Sequence, residues 1–393
     1  MMFPKNLSAK LETRIQNKAL RQLPPSSNAI DFASNDYLGF AKSKTIFEQT
    51  HQFLLDTNYK ENGATGSRLL SGNHPLYEIT EKHIAKFHQV ESALIFNSGY
   101  DANIGFFSSV PQKGDFILFD ELCHASIRDG IQLSLAKAYK FQHNDYEVLE
   151  KLLIRCHTER SRGASSDNNS QQPTIYIVTE SVFSMDGDCP DFENMISIAE
   201  KHKALLIVDE AHALGVFGNS GEGMLQNINL QDKIFARIVT FGKGLGCHGA
   251  AILGSFELQN YLVNFARSFI YTTGLSPHAI ATIYCAYQEL EKEKTAAEAL
   301  RNNINFFNQQ KQLLGLKPLF VRSKSAIQSA IIPGNEKVKS IAIQLQQNGF
   351  DIKAILSPTV PEGQERLRIC IHSYNSESEI SKVLELLATF VFQ

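Results

Sequence analysis

The chain has 393 residues, with 38 lysines and arginines against 41 aspartates and glutamates and a formal charge of -3. That length favours two domains, and 43% hydrophobic with 20% charged residues is the profile of a soluble globular protein with ample core. The charge balance gives no broad basic face for nucleic acid, and no apolar run reaches the roughly 18 residues that a membrane span needs.

The opening stretch, MMFPKNLSAKLETRIQNKAL, lacks the apolar run of a secretory signal and reads as a short amphipathic helix. The cysteines (Cys123, Cys156, Cys189, Cys247, Cys285 and Cys370) are scattered, without a C-x-x-C pair. Such scatter points to reduced thiols in the cytoplasm and against a disulfide frame or a metal site.

From about Lys86 to Ser255, short apolar runs alternate with stretches of helical length. Several runs carry no polar alternation, as expected of strands covered on both faces, and the rhythm predicts a mostly parallel α/β sheet. Ligands of such sheets bind beyond the carboxyl ends of the strands, so the residues following each run are the ones to read. The first predicted strand, Ala93 to Asn97, runs into Ser98-Gly99-Tyr100 and a helix. Backbone N–H groups at a helix start, beside a glycine, suit a phosphate.

The second strand, Phe116 to Phe119, leads to His124, whose imidazole could stack on a flat ring or equally cap a helix; Cys123 to Ala136 has helical period. Glu159 to Pro173 is polar and low in complexity and reads as a surface loop. Strand Thr174 to Thr179 delivers Glu180 and Ser184, and Phe192 to His202 is a predicted helix. Strand Ala204 to Val208 delivers Asp209 and His212. A carboxylate placed there can keep a pyridinium nitrogen protonated.

Strand Ile234 to Phe241 ends in TFGKGLG, where Lys243 is flanked by Gly242 and Gly244. A lysine at a buried strand mouth is a candidate for Schiff-base chemistry, with a solvated loop lysine as the plainer alternative. Gly244, Gly246 and Gly249 also spell a dinucleotide fingerprint. That reading fails on context, because a strand-like run, Ala250 to Gly254, follows where a helix is required. Beyond Pro277 the pattern changes to long helices, Ala279 to Asn303 and Val338 to Gln347, then strands and a last helix, Glu377 to Phe392. The expected division is an N-terminal segment, 1–44, packing on a smaller C-terminal α+β domain, 277–393, with a large domain at 45–276 between them.

Taken together, the strand-end motifs resemble the α-oxoamine synthases among the fold-type I enzymes of pyridoxal 5'-phosphate (PLP). The resemblance runs nearly end to end, through DFASNDYLGF, GATGSRLLSGNHPLYEITE, NSGYDAN, DELCHASIRDG, TESVFSMDGD, VDEAHALGVFG, TFGKGLG and PTVPEGQERLRI. It implies an aspartate-aminotransferase-like fold and assigns roles. Lys243 would carry PLP as a Schiff base and move protons. Asp209 would pair with the pyridine nitrogen, His212 with the phenolic oxygen, and His124 would stack on the ring beside Ser184. Gly99, Tyr100 and Thr240 would bind the phosphate, joined by Thr272 and Thr273 of a second subunit, which implies a homodimer with shared sites. Arg368 would hold the amino-acid carboxylate, with Asn35, Thr359 and Arg21 near the substrates. Arg21 matches only across a gap.

The implied reaction is decarboxylative condensation of an amino acid with an acyl thioester carried by coenzyme A or a carrier protein. TFGKGLGCHGAAILGS and SPTVPEG resemble the biotin-pathway branch of the family, which implies L-alanine and a pimeloyl donor giving 8-amino-7-oxononanoate. Ala213 departs from the Thr or Ser common in the family after the histidine. A glycine C-acetyltransferase is the alternative within the family. A catalytically dead scaffold is the alternative outside it, opposed by the full set of reactive groups.

Overall fold

The computed structural model describes residues 3–17, 20, 21, 23, 28–163 and 172–392. Its strands are β1 (Ile30–Asp31), β2 (Ser92–Phe96), β3 (Phe116–Asp120), β4 (Lys137–Phe141), β5 (Ile175–Glu180) and β6 (Leu205–Asp209). They continue as β7 (Ala236–Thr240), β8 (Ala250–Gly254), β9 (Ile327–Ile331), β10 (Phe350–Asp351), β11 (Lys353–Ile355) and β12 (Arg366–Cys370). Seven of them form one sheet in the order β2-β8-β7-β6-β5-β3-β4. β8 runs antiparallel to both neighbours, and the remaining pairs are parallel.

The continuous apolar runs have the expected cause. Side chains alternate across a strand, and here both faces are buried. On β5, Tyr176 and Val178 join one core, while Ile175 and Ile177 join another on the opposite face. On β8, Ala250 and Ile252 share the first core, and Ala251 and Leu253 enter a third. Helix Phe192–His202 lies where its period predicts, capped by Asp191, whose side chain accepts from the Asn194 N–H. The stretch expected as one helix from Cys123 to Ala136 is instead a short helix, Ala125–Gln132, followed by the edge strand β4. The polar segment from Glu159 begins inside helix Tyr146–Gly163, and 164–171 lie outside the described residues.

One further correction concerns a helix. Ala279 to Asn303 is not one helix but two, Pro277–Lys292 and Thr295–Leu313, separated at Glu293, whose backbone is extended. At the N-terminus, helix Lys5–Gln16 forms but has no buried residue.

Toward the C-terminus, β11, β12 and β9 make an antiparallel three-stranded sheet. β1 pairs with β10 in parallel, and Phe32 O accepts from Cys370 N at 2.8 Å. The residues after β1 therefore start on the C-terminal sheet and cross toward the end of the large one. One apolar core includes Phe32, Tyr37 and Phe40 of this segment together with Leu245, Ile327 and Leu367.

Candidate active site

Four parallel strands of the large sheet end in polar residues: Asp120, Glu180, Asp209 and Thr240. The last three line one cavity of about 270 Å³, together with Asn35, Gly99, Tyr100, His124 and Lys243. Glu180 and Asp209 are register partners on adjacent strands, so two carboxylates are set side by side.

Lys243 sits in a loop that closes on itself after β7. Phe241 N donates to Gly249 O at 2.9 Å, and Cys247 N donates to Phe241 O at 2.7 Å. The loop packs on the turn after Asp209 so tightly that a Cβ at Gly244 would lie 2.3 Å from Leu214 O, which explains the glycine there. The result is a Lys243 Nζ 2.8 Å from His212 Nε2. On its other side, His212 Nδ1 is 2.7 Å from the Tyr37 hydroxyl, which donates to Asn35 Oδ1 at 3.2 Å. Arg368 donates to the same Asn35 oxygen from NH2 at 2.9 Å, and to Ser184 O from Nε at 2.7 Å. A continuous polar chain thus joins Arg368, Asn35, Tyr37, His212 and Lys243.

Asp209 is held from two directions. Its Oδ1 accepts from Ala211 N at 2.9 Å, and its Oδ2 accepts from Asn103 Nδ2 at 3.0 Å. Asn103 also donates to Ser126 Oγ, which lies 2.8 Å from His124 Nδ1. The His124 backbone N–H donates to Glu180 Oε1 at 2.6 Å.

Burial sets the protonation states. It pushes the Lys243 amine down to about 8, although Asp209 and Glu180 pull the other way. His212 falls well below the usual imidazole range through burial and then through the charge of Lys243. His124 is lowered for the same two reasons. Glu180 is pushed up to about 8 by burial and by the neighbouring Asp209, with Lys243 opposing. The site therefore offers a buried amine beside a neutral imidazole.

The family model described as "Aminotransferase class I and II" matches residues 27–387. The 8-amino-7-oxononanoate synthase of Emericella nidulans is 38% identical, over 97% of this chain and 93% of that one. A putative 8-amino-7-oxononanoate synthase of Halalkalibacterium halodurans is 36% identical, over 95% and 93%. The chain belongs to the aminotransferase class I and II family, as an α-oxoamine synthase.

Among solved structures, 8-amino-7-oxononanoate synthase from Francisella tularensis matches with a TM-score of 0.75 and 28% identity, covering 93% of this chain and 98% of that one. Serine palmitoyltransferase from Sphingomonas wittichii matches with a TM-score of 0.86 and 25% identity, covering 98% and 96%. An α-oxoamine synthase is a PLP-dependent C-acyltransferase, and the fold is that of the type I PLP transferases.

The cavity fits that cofactor. Thr240 Oγ1 is buried with no hydrogen-bond partner among the described residues, as a phosphate ligand would be. A Cβ at Gly99 would come 2.5 Å from Thr240 Cγ2, so the glycine keeps this corner open. Gly99 also opens helix Gly99–Ser109, whose first N–H groups carry the positive end of the helix dipole. Tyr100 lies half exposed at the rim, its hydroxyl donating to Asp129 Oδ2 at 2.8 Å.

Not every expected residue of this α-oxoamine synthase lines the cavity. Ser184 contributes its carbonyl to Arg368 and does not line the pocket. Thr359 and Arg21 are exposed and away from it. Thr272 Oγ1 accepts from Asn97 Nδ2 at 3.0 Å, beside an exposed Thr273, and both lie outside this chain's own cavity. Conversely, Asn103, Ser126 and Tyr37 are built into the site without having been singled out. Asn103 stands one helical turn after Gly99, a spacing that puts both on one face.

Proposed function

We propose that this α-oxoamine synthase condenses L-alanine with a pimeloyl thioester, releasing the thiol and CO2 and giving 8-amino-7-oxononanoate. The observation that carries the reading is the 38% identity to the Emericella nidulans enzyme of that name across 97% of the chain. Lys243 would hold PLP through its amine, with Asp209 behind the pyridine nitrogen, His212 facing the phenolic oxygen and His124 over the ring. Gly99, Tyr100 and Thr240 would receive the phosphate. Bound there, the cofactor supplies an electron sink for a carbanion at the amino-acid α-carbon.

The chain's own groups do the rest. Arg368 would fix the substrate carboxylate through a bidentate pair, with Asn35 beside it. The Lys243 amine, brought down to about 8 by burial, has a neutral fraction that would take the α-proton at Nζ and return it later. The α-carbon then forms its new bond to the thioester carbonyl carbon, the thiolate leaves, and the carboxylate departs as CO2. Asp209, oriented by Asn103, would keep the pyridine nitrogen protonated throughout. Thr272 and Thr273 would serve the phosphate of a second copy, which makes the working unit a homodimer. Thr359 and Arg21 would lie near the substrates. The free cysteines fit a reducing cytoplasm.

The test is a panel of acyl-CoAs crossed with glycine, alanine and serine, read by thiol release. Preference for alanine with pimeloyl-CoA is expected. Turnover with glycine and acetyl-CoA instead would reassign the enzyme to glycine C-acetyltransferase, and preference for serine with a palmitoyl donor would place it with the serine palmitoyltransferases.

A further inference from the structure

The loop between β5 and the helix Phe192–His202 is stitched to the C-terminal sheet residue by residue. Ser184 O accepts from Arg368 Nε at 2.7 Å. Met185 O accepts from the Ser329 hydroxyl, and the Asp186 carboxylate accepts from Arg366 NH1. Gly187 O accepts from Ser323 Oγ at 2.8 Å. The backbone lies so close at Gly187, where φ is +74°, that a Cβ would sit 2.2 Å from Ile327 O. Four consecutive residues of one loop thus meet four side chains of the facing sheet and its approach.

Arg366 and Arg368 stand two apart on β12 and so project from the same face of the strand. One grips the loop through a side chain and the other through a carbonyl. Arg366 and Asp186 are both buried, and in a low-dielectric setting such a pair fixes geometry more than it adds stability. The far end of the loop is tied separately: Asp188 Oδ2 is 2.7 Å from His143 Nε2, and His143 Nδ1 is 3.0 Å from both oxygens of Asp120. The segment carrying the Ser184 carbonyl is therefore held at both ends, with the Met185 contact next to it and the Asp186 ion pair one residue further on.

We propose that the Asp186–Arg366 ion pair is a positioning device for the amino-acid substrate, locking the Ser184 carbonyl in place so that Arg368 presents its guanidinium at a fixed angle. The proposal rests on the reading of Arg368 as the carboxylate anchor. Neither residue lines the cavity, so the pair acts only through Arg368. A misplacement of the order of 1 Å in such an anchor costs up to roughly a hundredfold in rate, and a loosened one costs less.

The experiment measures KM for alanine, KM for the acyl thioester and kcat on the PLP-loaded enzyme, with thermal midpoints to establish folding. The variants are Arg368→Ala, Asp186→Asn, Asp186→Glu and Arg366→Lys. Asp186→Asn and Arg366→Lys are expected to raise the alanine KM about tenfold, by more than kcat falls, with the thioester KM unmoved. Asp186→Glu should recover most of the loss. If Asp186→Asn does not fold, Arg366→Lys carries the same test with charge kept and the planar fork lost. A raised alanine KM in Arg368→Ala, with wild-type values in both pair variants, would overturn the positioning role while leaving the anchor intact. An unchanged alanine KM in Arg368→Ala would overturn the anchor itself and the proposal with it.

Discussion

The amine of Lys243 and the Nε2 of His212 stand 2.8 Å apart, with the imidazole's other nitrogen 2.7 Å from the Tyr37 hydroxyl. Because that hydroxyl donates to Asn35 Oδ1, it accepts from Nδ1–H, and Nε2 is left as an acceptor facing the amine. Arg368 closes the far end of the chain through the same Asn35 oxygen. The groups proposed to hold the cofactor and the substrate carboxylate are therefore parts of one hydrogen-bonded unit.

Burial holds the Lys243 amine at about 8, so its neutral, nucleophilic fraction increases about tenfold between pH 7 and pH 9. The rate at which the apoenzyme captures PLP should rise by that factor over the same interval, followed by absorbance at a fixed cofactor concentration. A flat rate across this range would mean that the amine is not the titrating group.

Asn103 donates to Asp209 at 3.0 Å from inside the helix after Gly99. A hydrogen bond to a charged group contributes about 1.5–3 kcal/mol. Asn103→Ala is expected to lower kcat/KM roughly ten- to a hundredfold, with the fold retained by circular dichroism. Steady-state kinetics within twofold of wild type would contradict the orienting role.

The contact between Gly99 and Thr240 gives a pair of opposing predictions. Gly99→Ala drives a methyl against Thr240 Cγ2, and overpacking of this kind costs about 1–3 kcal/mol. The PLP dissociation constant, measured by equilibrium dialysis, should rise between about fivefold and a hundredfold. Adding Thr240→Ser removes the obstructing carbon and should restore most of the affinity; no recovery would show that the crowding lies elsewhere.

His143 predicts the alkaline behaviour of the fold. Burial alone would lower its pKa, but hydrogen bonds and charge from Asp120 and Asp188 outweigh it and push it up to about 10. A raised folded-state value stabilises fully below the ordinary imidazole range and is lost as pH climbs through about 10. The gap in Tm between wild type and His143→Gln should be widest at mildly acidic pH, below the ordinary imidazole range, and narrow as pH rises toward that value. A gap that stays constant would show that the charged form of His143 is not what ties Asp188 to the sheet.

Six of the seven strands in the large sheet were legible as apolar runs because both faces are covered. β4 was not, since KAYKF lies at the sheet edge with Lys137, Ala138 and Lys140 exposed. The break between the helices at Glu293 carries no glycine or proline to announce it. Within the site, residues at strand ends stood out because their position follows from topology. Tyr37 and Asn103 did not, because their partners lie 175 and 106 residues away, and only the folded chain brings them together. Ser184 illustrates the opposite limit: its motif was evident, but the atom facing Arg368 is a backbone carbonyl that a sequence does not distinguish.

The most direct measurement is borohydride reduction of the PLP-loaded enzyme followed by peptide mapping. One pyridoxyl group per chain is expected, fixed on the Lys243 side chain, with a matching loss of activity. Label on a different lysine, or an active Lys243→Ala enzyme, would contradict it.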